Sequence, residues 1–125
     1  MAKLILWLNA AVFAGFGVAC ALWPAGIAEL TTGAIPASTS AMTDFRAVYG
    51  GMMIGIGLLL ALTTRNDKTV RIGLQAVFLI LICMAVTRTM GLLIDGSPNQ
   101  YMLLYLVAEA AMAALAGWLL TTDKA

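Results

Sequence analysis

Long apolar runs separated by short polar stretches dominate the chain. Four runs, at about 3–23, 43–64, 69–94 and 100–121, consist mostly of apolar residues. A helix needs about 20 such residues to cross the hydrocarbon core of a bilayer. The pattern therefore predicts an all-α integral membrane protein, a four-transmembrane-helix bundle that forms a single transmembrane domain over residues 1–125.

The polar stretches carry residues that are typical of helix ends and turns. Residues 97–100 (Ser-Pro-Asn-Gln) have the form of a capping box with an early proline, which predicts that the fourth helix begins at about Pro98. Residues 65–68 are expected to form a tight turn between the second and third helices. In the longest connection, residues 24–42, we expect a short interfacial helix that ends at Gly33.

Basic residues lie on one side of the predicted spans. Lys3, Arg65, Lys68, Arg71 and Lys124 belong to the terminal segments and to the connection between the second and third helices, and the other two connections contain no Lys or Arg. Positively charged loops stay in the cytoplasm. Both termini are therefore predicted to be cytoplasmic, with a longer periplasmic loop between the first and second helices.

The composition agrees with a membrane protein and excludes several kinds of chemistry. The chain is 62% hydrophobic and 10% charged, whereas soluble domains are about 45–50% apolar and about 25% charged. A net charge of +1 without a basic run gives no footprint for nucleic acid. There is no histidine, and the two cysteines have no metal-ligand spacing, so no metal, no cofactor and no catalytic triad are predicted.

Beyond the first three residues of each predicted span, the spans contain three charged side chains, namely Arg46, Arg88 and Glu109. Each costs about 2.5–3.5 kcal/mol at the centre of a bilayer, so each needs a partner or a role. At about 1.5 Å per residue they lie ~5, ~9 and ~13 Å from the outer ends of their helices. We expect them to meet in the outer half of the membrane if those helices are neighbours.

Small and aromatic residues share helix faces with the three intramembrane charges. Arg46 shares a face with Tyr49 and Gly50, and Glu109 shares one with Tyr105. These stripes predict an outward-facing pocket lined by the three intramembrane charges and by phenol groups.

The charged residues allow a structural and a functional interpretation. Arg88 and Glu109 can form a buried ion pair that fixes which helices meet, and Arg46 can reach water or pair with Asp44. Alternatively, the cluster is a ligand or proton site. If Asp44 lies in water, two arginines and one glutamate leave an excess positive charge, which favours a fatty-acid carboxylate or a lipid phosphate as ligand.

Small residues at helical spacing predict close helix packing. The patterns are Gly51-x-x-x-Gly55 and Ala110-x-x-x-Ala114, and such patterns let two helix backbones approach each other. We expect contacts inside the bundle, with a seam between two copies as the alternative.

The polar elements also carry a family resemblance. Residues 44–51 (Asp-Phe-Arg-Ala-Val-Tyr-Gly-Gly), Thr87-Arg88-x-x-Gly91 with the following Asp-Gly, and Glu109 resemble the bacterial "domain of unknown function 4345" proteins. The resemblance covers nearly the whole chain, and Arg-Ala-x-Tyr-Gly-Gly is its most specific part. It implies a multi-pass protein of the bacterial inner membrane but no activity, and it points to the following residues: Arg46, Tyr49, Gly50, Arg88 and Glu109.

Three classes of function fit these residues. We favour a binding or accessory membrane protein that holds an anionic, quinone-like or lipid-like amphiphile in the outer-half pocket. A proton-coupled oligomeric carrier would use Glu109 as its proton site, and an intramembrane enzyme would use it as an acid or base beside Tyr49 or Tyr105. Membrane lipids are the expected partners, and the sequence leaves open a homo-oligomer or a larger membrane complex.

Overall fold

The computed structural model describes residues 1–96 and 99–122, and all regular secondary structure in these ranges is helical. No β-strand occurs in these ranges, which confirms the all-α prediction. Ser97 and Pro98 of the predicted capping box, and Lys124 of the charge count, lie outside the described residues. The helices are α1 (Ala2–Leu22), α2 (Pro24–Thr32), α3 (Thr39–Phe45), a π-helical segment (Arg46–Met52), α4 (Met53–Thr63), α5 (Asp67–Ile94) and α6 (Gln100–Thr122).

Four stretches are long and apolar enough to cross a membrane. They are Ala2–Leu22, Thr39–Thr63, Asp67–Ile94 and Gln100–Thr122, so each predicted span corresponds to one of them. The second stretch combines α3, the π-helical segment and α4. The cytoplasmic position of the termini stays a prediction.

The ends of the helices follow from local capping. Gly33 ends α2 in the left-handed conformation, with φ of 79°, as the sequence predicts. The second span begins at Thr39 rather than at residue 43, because the Ser38 side chain accepts a hydrogen bond from the Ala41 backbone N–H at 3.1 Å. Asn99 caps the start of α6, where its Oδ1 accepts from the backbone N–H groups of Tyr101 and Met102.

The chain divides into two compact units. The first, which we call the α1–α4 unit, is Trp7–Leu62. The second, the α5–α6 unit, combines Met1–Leu6 with the described residues from Thr63 onward.

In the α1–α4 unit, α1 and the second span touch through glycines. A Cβ atom at Gly57 would lie 2.7 Å from the Ala10 carbonyl oxygen and 2.7 Å from the Ala14 nitrogen. A Cβ atom at Gly17 would lie 2.7 Å from the Gly50 carbonyl oxygen. Because these atoms belong to the backbone and cannot move aside, this helix contact requires glycine.

The predicted small-residue patterns do not take part in this glycine contact between α1 and the second span. Gly51, Gly55, Ala110 and Ala114 are all exposed. Apart from chain neighbours and the backbone of the same helix, no described atom of the α1–α4 unit comes within 4 Å of a Cβ position at Gly51 or Gly55. Their packing role stays a prediction, whereas Gly50 is buried and lies against Ala21.

In the α5–α6 unit, each long helix presents a buried stripe. The buried positions of α5 include Leu74, Val77, Leu81 and Ala85, and those of α6 are Glu109, Ala113, Ala116 and Leu119. Their spacing of three or four residues is that of one helix face. Glu109 is the one carboxylate in either list, so the packing of α6 brings a charge into its buried face.

Replacing Gly57 with alanine tests the glycine contact. We expect Gly57→Ala to lower the free energy of unfolding by about 1–3 kcal/mol, because the added methyl group overlaps backbone atoms. The measurement is the midpoint of denaturant unfolding in detergent. The matched control is Gly55→Ala, two residues away on an exposed face, which should leave the midpoint unchanged or raise it slightly, because alanine is the better helix former. Equal midpoints for the two variants would show that α1 and α4 do not pack as described.

Candidate functional site

A bidentate ion pair joins α5 to α6. Arg88 donates from Nε to Glu109 Oε2 at 3.0 Å and from Nη2 to Glu109 Oε1 at 2.5 Å. The two parallel hydrogen bonds match the planar guanidinium to the carboxylate, which is the strongest geometry for such a pair. The side chains are 20% and 8% exposed, respectively. Both charges are therefore neutralised away from water.

Other side chains of α6 complete the surroundings of Arg88. Its Nη1 donates to the Met102 sulfur at 3.2 Å, and its guanidinium carbon lies 5.3 Å from the centre of the Tyr105 ring. An aromatic ring at this distance attracts the cation through its negative face. Every buried side-chain nitrogen and oxygen of the described residues has a hydrogen-bond partner. The Arg88–Glu109 pair is thus electrically neutral.

Arg46 has a different environment in the α1–α4 unit. Its side chain is exposed, and Nη1 donates to the backbone carbonyl of Ala21. Ala21 is in the last turn of α1, where carbonyl groups have no partner within the helix. A cation at a helix C-terminus also interacts favourably with the helix dipole. Arg46 therefore caps α1 from a different helix.

The acceptor for Arg46 carries no net charge. Neither of the ion pairs Lys3–Asp67 and Arg88–Glu109 includes Arg46, and no carboxylate of the described residues pairs with it. Asp44 is exposed, and residues two apart on a helix do not face each other. The charge of Arg46 is therefore held in place but not neutralised.

The helix changes its form at Arg46. The π-helical segment Arg46–Met52 covers Arg-Ala-Val-Tyr-Gly-Gly-Met, and Gly50 and Gly51 make departure from α-helical geometry easier because they lack a Cβ atom. The Tyr49 ring stacks on Phe45, with centroids 4.6 Å apart. Tyr49 is 46% exposed, so it lies apart from the buried face on which Gly50 meets Ala21. π-Helical segments are rare in proteins, and those that do occur often lie at functional sites.

A shallow polar cavity lies beside this segment. Its volume is about 420 Å³, and it opens widely to the surroundings. Three hydroxyl side chains, one carboxylate and one methyl group line it, namely Thr39, Ser40, Thr43, Asp44 and Ala47. Asp44 therefore belongs to a polar surface at the start of the second span.

The structure brings together part of the predicted cluster. Arg88, Glu109 and Tyr105 meet within the α5–α6 unit, whereas Arg46, Tyr49 and Asp44 belong to the α1–α4 unit. A joint pocket containing all three intramembrane charges stays a prediction.

Sequence reasoning missed two partners of the arginines. Met102 lies on α6 seven residues before Glu109 and three before Tyr105, so helical spacing alone could have identified it. The Ala21 carbonyl is a backbone group, and the side-chain pattern carries no signal for it.

A double-mutant cycle tests the ion pair. Arg88→Met or Glu109→Met alone should lower the free energy of unfolding by about 3–5 kcal/mol, because the remaining charge is buried without its partner. The loss of unfolding free energy in the double variant should be much smaller than the sum of the losses in the two single variants. The measurement is denaturant unfolding of all four proteins in the same detergent. Strictly additive losses would contradict a paired structural role.

Comparison with known proteins gives a family and no activity. The family model described as "Domain of unknown function (DUF4345)" matches residues 1–120. No curated protein and no solved structure matches the chain. The family model covers nearly every residue, including the π-helical segment and the α5–α6 ion pair, and the chain therefore belongs to the DUF4345 family.

Proposed function

We propose that this protein binds an anionic amphiphile within the membrane and that Arg46 contacts the ligand's carboxylate or phosphate. The observation that carries the proposal is the environment of Arg46: it lies inside a candidate span and has an uncharged acceptor. Arg46 comes seven residues after Thr39, which is about 10 Å along the helix. A positive charge at this depth is costly unless an anion accompanies it.

The hydrogen-bonding capacity of Arg46 supports the same role. A guanidinium group has five N–H donors in a fixed fork, and the Ala21 carbonyl accepts from Nη1. This bond fixes the position of the group, while other donors of the fork can meet a carboxylate or phosphate in bidentate geometry.

Apolar side chains beyond Arg46 suit the chain of an amphiphile. Val48, Tyr49 and Met52 follow Arg46 in the π-helical segment and are all exposed. A ligand with its head at Arg46 and its hydrocarbon chain beside these residues would satisfy both the charge and the apolar surface.

The α5–α6 ion pair has a structural role in this proposal and does not contact the ligand. Glu109 already occupies two donors of Arg88 and neutralises its charge, so a second anion there would have to displace a buried carboxylate. We therefore propose that Arg88 and Glu109 stabilise the α5–α6 unit and that Arg46 contacts the ligand. This assigns the ligand contact to one arginine rather than to the three-charge cluster that the sequence predicts.

Fluorescence of Trp23 gives a direct test, because Trp23 follows Ala21 by two residues and is exposed. In protein that carries Trp7→Phe and Trp118→Phe, a brominated long-chain fatty acid should quench Trp23 in a saturable manner. Adding Arg46→Gln should weaken binding by about tenfold or more, since a hydrogen bond to a charged group contributes about 1.5–3 kcal/mol.

Two controls separate recognition of the head from partition of the chain. The methyl ester of the same fatty acid should bind weakly to the parent protein, and Arg46→Lys should retain more affinity than Arg46→Gln because it keeps the charge. Equal affinity for the acid and the ester, or unchanged affinity in Arg46→Gln, would overturn the proposal.

A further inference from the structure

A cluster of basic residues, which we call the basic end, lies at the start of the α5–α6 unit. It consists of Lys3, Arg65, Lys68 and Arg71, all within residues 1–6 and 63–71. Asp67 is the one acidic residue in these two ranges. Four basic residues against one acidic residue give the basic end a net charge of +3.

The ion pair at the basic end involves neither Arg65 nor Lys68, and both of these cations are exposed. Lys3 Nζ lies 2.6 Å from Asp67 Oδ1, and both side chains are largely exposed. The pair cancels one charge of each sign. It also holds the start of α1 beside the start of α5, so residues that are distant in sequence share one surface. The N-terminus of α5 adds the positive end of its helix dipole to the same region.

The length of α5 places the basic end at the level of lipid head groups. The helix has 28 residues, or about 42 Å, against a hydrocarbon core of about 30 Å. Even at a tilt of about 20° the helix is longer than the core is thick. Lys68 and Arg71 lie in its first five residues, so the excess length carries them out of the hydrocarbon.

Trp118 marks the boundary of the hydrocarbon on the same unit. Its neighbour Gly117 packs against the Phe78 ring, which a Cβ atom at Gly117 would approach to 3.2 Å. Phe78 follows Arg71 by seven residues, or about 10 Å of helix. The indole of Trp118 is half-exposed, and tryptophan favours the level where head groups meet acyl chains. The cations therefore lie about one head-group layer beyond it.

From this arrangement we infer that the basic end is a docking surface for anionic phospholipid head groups of the leaflet in which it lies. The cations lie at phosphate level, the tryptophan lies at the level of the upper acyl chain, and the net charge favours anionic over zwitterionic lipid. Each Lys or Arg near a membrane surface adds attraction to anionic lipid, and this attraction is screened by salt. Arg46 is not a residue of the basic end, and the inference does not depend on the ligand proposed at Arg46.

The test uses protein with Trp118 as its one tryptophan, made by Trp7→Phe and Trp23→Phe, in vesicles of phosphatidylcholine and phosphatidylglycerol. Either lipid is brominated near the top of its acyl chains, and the two extents of Trp118 quenching give the relative preference. The parent protein should prefer phosphatidylglycerol severalfold. Arg65→Gln/Lys68→Gln should abolish this preference, since each of the two cations removed weakens attraction by about fivefold.

The charge-preserving variant Arg65→Lys/Lys68→Arg is the matched control and should keep the preference. Raising the salt concentration should reduce the preference of the parent protein. Equal quenching by the two brominated lipids in the parent protein would overturn the inference, and so would an unchanged preference in Arg65→Gln/Lys68→Gln. Loss of the preference on adding an excess of glycerol phosphate would identify a site for soluble anions, which also contradicts a lipid-docking surface.

Discussion

A charge inside a membrane span must have a partner, and the structure meets this requirement differently for its two intramembrane arginines. Arg88 is paired with Glu109 through two hydrogen bonds within α5–α6. Because breaking such a pair leaves an unbalanced buried charge, the two helices are held in one register. The buried face of α6 depends on this, since Glu109 lies in the same stripe as Ala113 and Ala116.

The charge of Arg46 has a hydrogen-bond partner but no opposite charge. The Ala21 carbonyl gives it a hydrogen bond and fixes its position, but an uncharged acceptor does not cancel a positive charge. The π-helical segment that begins at Arg46 ends with Met52, and it carries the glycine that meets α1 together with exposed apolar side chains. One short segment therefore combines a fixed cation, a close helix contact and an apolar surface. We base the proposed function on this combination rather than on the buried ion pair.

Most of the fold follows from the sequence because the length of an apolar run is a strong constraint in a bilayer. All four spans and the glycine end of α2 were predictable on this basis and from capping chemistry. The start of the second span was not, because several hydroxyl residues in succession could serve as the cap and Ser38 is the one that does. The π-helical segment has no periodic signature, since a wider turn shifts the residues that share a face. Within the candidate site, residue spacing predicts that Glu109 lies close to Tyr105 and Arg88. It does not predict the backbone carbonyl that accepts a hydrogen bond from Arg46.

One measurement directly separates the structural role of the Arg88–Glu109 ion pair from the ligand-binding role proposed for Arg46. It is the rise in thermal midpoint that a long-chain fatty acid produces in the purified Arg88→Met/Glu109→Met protein. We expect a rise close to that of the unmodified protein, because Arg46 and its carbonyl partner are unchanged. If the fatty acid stabilises the unmodified protein but not the folded double variant, the ligand binds at the Arg88–Glu109 pair, and Arg46 does not have the proposed role.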